Sequence, residues 1–579
     1  MPIYCVEEPA ESRKLRILKE IVMTTTPRWK WISFTVVWLL LVVLGTACNG
    51  TIPPEPEKAE VRIGWPRGPV TLNPLVAGSG YAEEHIIFNM VYDSLYILEP
   101  DHSYSSPLLT QEPAVSADGT VWTFTLRDDA IFHDETQTPL TAQDVAFSYN
   151  LYATRSESLV NDFTEHFQAV EAPSDTEVVL TLDEAIPNLK SQLLSLYILP
   201  EHIWGEIADE EVLEFDNANL FGSGPFKLRE YKQGQFIRLA INQDYAGALP
   251  HIDEVIYQTF ETSDARVNAL QNGEVDMITL VSPAVVSKLQ DNADIEVVIG
   301  SAYQPYIQTI FLNVLQPEDC PPDDGICTGH AALRDRTVRQ ALAHATDKQK
   351  IITVVLDGLG TPGLTLIPEG MGAWYNDTIE DYPFDLGKAN ALLDEAGYVD
   401  TDGDGVREMP GGGEPLIFRL YWPDYVNSHI ADLLADSWRQ IGVEVEPQEM
   451  DEKALLKVCC SAFDYDIIIW NAAPVSNDPD GLLKMMWSED IQDGQNETGF
   501  SDPAYDELYE QQIQELDEQK RQTLVWQMQE IMHQEVNYII PYYKQAVQAY
   551  RRDRFSGWVV EPTIALEHRA SLLQITPVE

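Results

Sequence analysis

Six consecutive residues, Asp400-Thr401-Asp402-Gly403-Asp404-Gly405, place carboxylates at positions 1, 3 and 5 of a loop with glycine at position 6. That alternation gathers side-chain oxygens around one point and suits a hard cation such as calcium. Glu408 falls at position 9, but position 12 is Gly411, so the bidentate glutamate of a helix–loop–helix calcium site is absent. Two readings stand. One is a calcium site formed by Asp400, Asp402, Asp404, the Val406 carbonyl and Glu408; the other is a solvated acidic turn tightened by its glycines. Catalytic patterns are lacking: there is no G-x-S-x-G elbow, no H-E-x-x-H pair and no Walker loop. The one G-x-G-x-x-G string, Gly358–Gly363, follows a helical pattern and not a strand, so it reads as a helix stop. Carboxylates are so numerous that no pair can be singled out for glycoside hydrolysis. No enzyme activity and no cofactor other than calcium is expected.

Cysteine is the next reactive type. Trp31–Ala47 is an uncharged run preceded by Arg28 and Lys30, the layout of a secretory leader. Its 17 residues are short for a membrane span. Cys48 follows Leu44-Gly45-Thr46-Ala47, which resembles the cleavage site of a bacterial lipoprotein. Residues 1–47 are expected to be a signal peptide, with Met23 as the start, and residues 48–57 a lipidated tether. The protein would then be exported and lipid-anchored, on the outer face of the cytoplasmic membrane or in the periplasm. Cys320 and Cys327 flank a turn-rich hexapeptide, and a local disulfide is expected there. Its small ring puts its stabilisation at the low end of about 2–4 kcal/mol. Cys459 and Cys460 are adjacent and read as buried thiols, with no neighbours at zinc-ligand spacing.

The elements that position these residues belong to a globular chain. It has 579 residues, 44% of them apolar and 10% aromatic, enough for several domains of about 150 residues each. It carries 93 acidic against 37 basic residues, a formal charge of −56, and still −58 after residues 1–47 are removed. That surplus argues against nucleic acid and against adsorption to anionic headgroups through basic patches. Strand patterns at 61–65, 120–126, 177–182, 226–231, 236–242, 275–280, 417–421, 443–447 and 466–470 alternate with helical ones at 82–96, 265–272, 338–356, 386–395, 429–440 and 520–533. Thr141 is the expected N-cap of a further helix, and Gly273 and Gly397 stand at C-cap positions. This is an α/β protein of more than one lobe.

Six segments, in order, carry a resemblance. They are Asp118–Tyr149 (DGTVWTFTLRDDAIFHDETQTPLTAQDVAFSY), Gly222–Tyr245, Asn272–Asp276 (NGEVD), Arg336–Asp347 (RTVRQALAHATD), Ala389–Asp404, which includes AGYVDTDGD, and Trp526–Tyr543. Together they resemble the family 5 extracellular solute-binding proteins, the dipeptide-, oligopeptide- and nickel-binding subunits of ABC importers. The resemblance implies a two-lobed periplasmic-binding-protein-like clamshell with an extra inserted subdomain. The first lobe would comprise 58–97, 198–297 and 534–579, the insert 98–197, and the second lobe 298–533. It also implies a monomer that engulfs an oligopeptide or similar organic solute and delivers it to a membrane permease. An oligosaccharide ligand is the alternative within this class.

Pocket candidates follow by position. In the peptide-binding members an aspartate shortly after a Gly-Trp pair takes the ligand's ammonium. The matching tryptophan is Trp470, beside Asn471, but the residue three further on is Ala473, so that clamp is missing. Asp478 before Pro479 fits an N-cap; the other reading brings Asp478 or Asp480 round to the ammonium. Ser79, Gly80 and Tyr81 lie on an early first-lobe loop, and Thr279 and Ser282 follow the NGEVD strand. Tyr306 and Gln308 precede Phe311, Tyr421 and Trp422 end a second-lobe strand, Met450 stands where peptide binders often show tryptophan, and Lys457 where a basic residue can meet a carboxylate. Each of the aromatics also fits plain core packing.

Overall fold

The computed structural model describes residues 58–77, 82–155, 161–302, 306–323, 325–460, 462–472, 478–491 and 496–578. They fall in one compact unit, Lys58–Glu579. The leader, Cys48, Ser79, Gly80, Tyr81 and Ala473 lie outside the described residues. Among the described residues no helix is long and apolar enough to cross a membrane.

Two sheets dominate. In the first, the described strands run in the order Ile295–Gly300, Ala546–Arg551, Met277–Ile278, Glu60–Trp65, Glu254–Thr259, Phe236–Ile241 and Phe226–Lys232. In the second the order is Gly360–Thr361, Tyr538–Lys544, Tyr306–Leu312, Ile467–Ala472, Ile417–Pro423 and Glu444–Met450. Each sheet owns its apolar core. The cluster around the second sheet begins at Ile307 and ends at Tyr543. The clusters on the two faces of the first use residues up to Ile295 and resume at Val547. The protein is thus an α/β clamshell of two lobes, because burying each sheet's apolar faces needs its own helices and not the other sheet.

The lobe limits follow the ladders. Residues 298 and 534 were expected to open the second lobe and reopen the first. The pairing of Ile295–Gly300 with Ala546–Arg551 keeps all of that strand in the first sheet. Tyr538–Lys544 lies between Tyr306–Leu312 and Gly360–Thr361, wholly in the second sheet. Gln545 alone separates the two sheets at the return crossing.

A third, four-stranded sheet (Ala114–Val115, Val121–Thr125, Glu177–Leu182, Phe167–Ser174) carries the inserted segment. Its helix Ala142–Ala153 starts at Thr141, whose hydroxyl accepts the Gln143 N–H while the Asp144 carboxylate accepts the Thr141 N–H at 2.8 Å. This satisfies two otherwise orphaned donors. Trp122, Phe124, Tyr149 and Leu180 share one apolar cluster with the first lobe, so the insert is fused to that lobe and not hung from it. Gly273 ends the helix Ser263–Asn272 at φ +72°, a conformation that favours glycine.

The helix expected over 338–356 is two: Arg336–His344 and Lys348–Leu356. The Thr346 hydroxyl donates to the Leu342 carbonyl at 2.8 Å, the Trp438 indole donates to both groups at 3.2 Å, and Asp347 caps the second helix through the Lys350 N–H. Side-chain partners for the freed backbone make the break stable. Cys320 and Cys327 are disulfide-bonded, and this loop docks on the Ala462 carbonyl through the Ile326 and Cys327 N–H groups. Cys459 and Cys460, read from sequence as thiols, are also joined, at the end of the helix Glu452–Cys459 where the chain turns.

Burial pushes the Glu497 carboxyl in the second lobe up to about 8. The folded chain therefore keeps a proton that the unfolded chain releases near pH 4.5, and each pH unit between about 4.5 and 8 costs the fold roughly 1.4 kcal/mol. Glu497→Gln has no proton to lose. Its melting temperature should exceed that of the parent at pH 8, and the gap should close as pH falls to about 4.5. Thermal melts at the two pH values check this, and a gap independent of pH would contradict it.

Candidate functional site

The register of the strands defines the site before any side chain does. Glu60–Trp65, Glu254–Thr259 and Met277–Ile278 run parallel, and Val281 hydrogen-bonds to Val547 beside the return crossing. In the second lobe Ile307 pairs with Ala472, Tyr306 with Lys544, and Pro423 with Met450. The carboxyl ends of Ile417–Pro423, Glu444–Met450 and Ile467–Ala472 therefore share an edge with both crossings. Each sheet turns its carboxyl edge toward the hinge and toward the other sheet. That edge is where open α/β sheets bind ligands.

On the second-lobe edge several candidates converge. The Gln308 amide donates to the Trp470 carbonyl and accepts from the Tyr542 hydroxyl at 3.0 Å. Gln308 is buried with both ends engaged, so it braces neighbouring strands and is not free for a ligand. The Trp470 indole stacks on Phe311 with centroids 6.3 Å apart and donates to the Tyr425 hydroxyl at 2.8 Å; Tyr425 donates in turn to Glu452 at 3.0 Å. Burial pushes the hydroxyls of Tyr306 and Tyr425 up to about 12, with Glu452 adding to the second. Both therefore stay protonated donors at neutral pH. Asn471 has a buried amide oxygen with no partner among the described residues, and Met450 is half-buried at its strand end.

Other candidates separate from this group. Phe418, Leu420 and Trp422 alternate inward along one strand, and Trp422 packs in the core, 7% exposed. Tyr421 is half-buried on the opposite face. Lys457 sits about 1.4 turns down the helix Glu452–Cys459, which leads away from the edge, and it is exposed. In the first lobe Thr279 is buried, while Ser282 precedes the helix Pro283–Gln290 half-buried. Between them Leu280 adopts φ +47° and is 64% exposed. Buried Arg266 holds its carbonyl at 3.1 Å and that of Phe260 at 2.9 Å. A leucine pinned in a left-handed conformation and turned outward at the carboxyl edge was not foreseen from sequence, because nothing in its neighbours signals the positive φ. Tyr425, Tyr542 and Lys544 were missed too: the neighbours of the last two are set by pairing across strands, and those of Tyr425 by the distant side chains of Trp470 and Glu452.

Asp478 is not a free ammonium acceptor. Arg521 grips both its oxygens, at 2.5 and 2.7 Å, and both side chains are 4% exposed. Burial alone would lower the Arg521 guanidinium; Asp478 overrides it and holds it raised. Trp374 lies over the guanidinium at 5.1 Å. Asp480 is held by Gln512 at 2.7 Å. This cluster meets the first lobe. Burial, with the Asp478 charge adding to it, pushes the Tyr104 hydroxyl up to about 12. Nearby, a Cβ on Gly119 would stand 2.7 Å from Leu516 Cδ1.

In the acidic loop Asp400 accepts the Gly403 and Gly405 N–H groups at 2.6 and 2.9 Å, and Glu408 accepts that of Thr401 at 2.8 Å. One oxygen each from Asp400, Asp402, Asp404 and Glu408 lie within 4.8 Å of one another. This is a compact all-oxygen donor set of the kind a hard cation takes.

Removing one partner of the buried pair leaves an uncompensated charge. Arg521→Met should cost the chain about 3–5 kcal/mol, and the double variant Asp478→Leu/Arg521→Met should recover most of that. Urea titrations of the three chains measure it; a single variant as stable as the parent would contradict the assignment.

Comparison with known proteins agrees with this geometry. A family model described as "Bacterial extracellular solute-binding proteins, family 5 Middle" matches residues 105–494. The oligopeptide-binding protein AppA of Bacillus subtilis (strain 168) is 28% identical over 490 residues, 82% of this chain and 86% of its own length. The structure of AppA from Bacillus subtilis in complex with a nonapeptide superposes with a TM-score of 0.67 at 24% identity, covering 91% of this chain and all of that one. HbpA2 from Haemophilus parasuis superposes with a TM-score of 0.75 at 22% identity, covering 90% of this chain and all of that one. With two-thirds of its length under the family model and two sheets joined at their carboxyl edges, the chain belongs to the family 5 bacterial extracellular solute-binding proteins.

Proposed function

We propose that the protein captures a peptide or peptide-like organic solute between its lobes and delivers it to the membrane permease of an ABC importer. Its lobes in this reading are 58–300 (with the insert at 98–197) joined to 546–579, and 306–544. A lipid on Cys48 would tether it outside the cytoplasmic membrane through 48–57. The observation that carries the reading is the pair of carboxyl edges facing one another across a hinge of two crossings, each edge on a lobe with its own core. Such lobes rotate at the cost of a few backbone dihedrals, so a solute that touches both shifts the population toward closure by the affinity it gains there. The relatives named for oligopeptide binding favour a peptide. No observation on this chain favours an oligosaccharide.

The same reading takes the remaining members of the cleft group, Tyr306, Trp470, Asn471 and Met450, as ligand contacts, with Leu280 opposite them. It takes the Asp400–Glu408 loop as a structural calcium site outside the cleft.

Native mass spectrometry of the purified full chain should reveal a co-purified peptide. After its removal, adding a random peptide library should reduce the radius of gyration in small-angle scattering. With Ala473 in the clamp position, free and N-acetylated peptides should bind alike. Library binding without compaction would sink the clamshell mechanism, and a strong preference for the free amine would overturn the missing clamp. Calcium should raise the melting temperature by several degrees in the parent and not in Asp402→Asn/Asp404→Asn; no response in the parent reduces the loop to an acidic turn.

A further inference from the structure

We propose that the inserted subdomain is a latch for the clamshell: Leu516 of the second lobe seats on the Asp118–Gly119 turn of the insert, and this contact holds the lobes together without touching the ligand. The inference rests on the lobe closure proposed above.

Leu516 lies in the turn between the helices Pro503–Gln512 and Glu518–Glu535. It is 43% exposed and takes no part in the apolar cluster of its own lobe. Its side chain goes to the other lobe instead. A Cβ on Gly119 would stand 2.7 Å from Leu516 Cδ1 and 3.1 Å from Leu516 Cδ2. Only a residue without a side chain leaves room for the leucine, and the φ of +73° favours glycine at the same position. The seat is firm, because the Trp122 indole donates to the Gly119 carbonyl at 2.9 Å from within the core of the insert.

A second contact joins the same two bodies. A Cβ on Gly372 of the second lobe would stand 3.2 Å from His102 Cδ2 of the insert. Tyr104, two residues further on, is close enough for Asp478, Glu518 and Arg521 to act on its hydroxyl. The loop that carries His102 is braced from behind. The Thr563 hydroxyl donates to the Pro100 carbonyl at 3.0 Å, and Ile564 pairs with Ala302 just beyond the strand Ile295–Gly300. The insert is thus fixed both to the first-lobe core and beside the outgoing crossing, and it moves with that lobe.

The seat is also built to part. Contact between a leucine and a bare backbone is lost over an ångström or two of separation. Asp118, Asp183 and Glu184 adjoin the seat in sequence, and Glu515, Asp517 and Glu518 adjoin the leucine. Like charges on both rims oppose the approach. The leucine offsets that repulsion, so a solute in the cleft needs to supply less of the free energy of closure. None of these residues belongs to the carboxyl-edge group around Trp470.

The test combines small-angle scattering of the full chain freed of co-purified ligand with calorimetry on random peptides of two to nine residues. It compares the parent with Leu516→Ser, Leu516→Met and Leu249→Ser, the last a control whose side chain is 42% exposed on the first lobe. Leu516→Ser should enlarge the ligand-free radius of gyration and weaken peptide binding about threefold to tenfold, the scale of covering part of one leucine. Leu516→Met should keep most of both properties, and Leu249→Ser should change neither. Gly119→Ala should weaken binding in the parent and add nothing in Leu516→Ser, where the contact it blocks is already gone. Parent-like scattering and binding by Leu516→Ser, or losses from the two substitutions that simply add, overturn the latch while peptide capture stands. If the parent binds no peptide, capture falls and the ligand-free scattering decides alone: an unchanged radius in Leu516→Ser overturns the latch, and an enlarged one upholds it.

Discussion

The structure depends on one constraint: the chain must pass from one sheet to the other and back between strands that are paired neighbours within each lobe's ladder. Ile295–Gly300 and Ala546–Arg551 are antiparallel partners in the first sheet, Tyr306–Leu312 and Tyr538–Lys544 in the second. A two-stranded path thus runs across the molecule with Gln545 as its narrowest point. Because strands pair at fixed spacing, this path brings the carboxyl edges together and fixes which residues can face the cleft. The apolar clusters obey the same division: none draws buried residues from both sheets. Lobes with separate cores need no repacking to move, only new dihedrals at the crossings.

Much of this was legible in the sequence wherever the signal is local. Thr141 with Asp144 is a capping box in type and spacing, Gly273 follows an apolar helix at the position that needs a left-handed residue, and Cys320 and Cys327 bracket a turn. What failed to show is set by partners far along the chain. Period-two alternation correctly makes 417–423 a strand, but it cannot say that the face bearing Phe418, Leu420 and Trp422 is the inner one. The helical spacing over 338–356 continues unbroken; Trp438, some 90 residues away, supplies the donor that stabilises the break. The resemblance put the return crossing near 534, whereas the strand that follows still pairs with Tyr306–Leu312. The resemblance to the solute-binding family was readable from ordered short segments, and the family match confirms it. The residues at the carboxyl edges were only half readable: Trp470 and Tyr306 were named from sequence, while Tyr425 and Leu280 were not.

The acidic surplus also changes meaning once the residues have positions. Many of the carboxylates do local backbone work: Asp118, Asp134, Asp335, Asp347, Asp385 and Asp502 each accept backbone N–H groups at turns or helix starts. At two of them hydroxyl donors add to the backbone: the Ser116 and Thr120 side chains hold the Asp118 carboxyl below the usual range, and Thr136 and Thr138, through hydroxyls and backbone N–H groups, hold that of Asp134 at about 2 against its burial. The charge is thus partly the by-product of capping many elements with aspartate, and the rest is solvated surface. Neither gives information about the ligand, which is why the total of −56 says so little about what binds.

Asp478 and Arg521 show how a departure from a family pattern can be structural and not functional. Asp478 follows Trp470 in the sequence, and the resemblance leaves open that it serves as the ammonium acceptor expected there. A bidentate guanidinium takes it instead, and that guanidinium is in turn held by the Trp374 face and by the Gln512 carbonyl and amide oxygens. A buried ion pair is a poor source of net stability but a strong constraint on geometry, since either partner alone is costly. Here the constrained geometry lies on the second lobe opposite Tyr104 of the first, close to where Leu516 meets Gly119. If the lobes move, this is a surface that must meet the same partner each time, and a rigid charged cluster does that better than a flexible loop. The aspartate that was a candidate for holding the ligand is better placed to hold the shape of the surface on which the lobes meet.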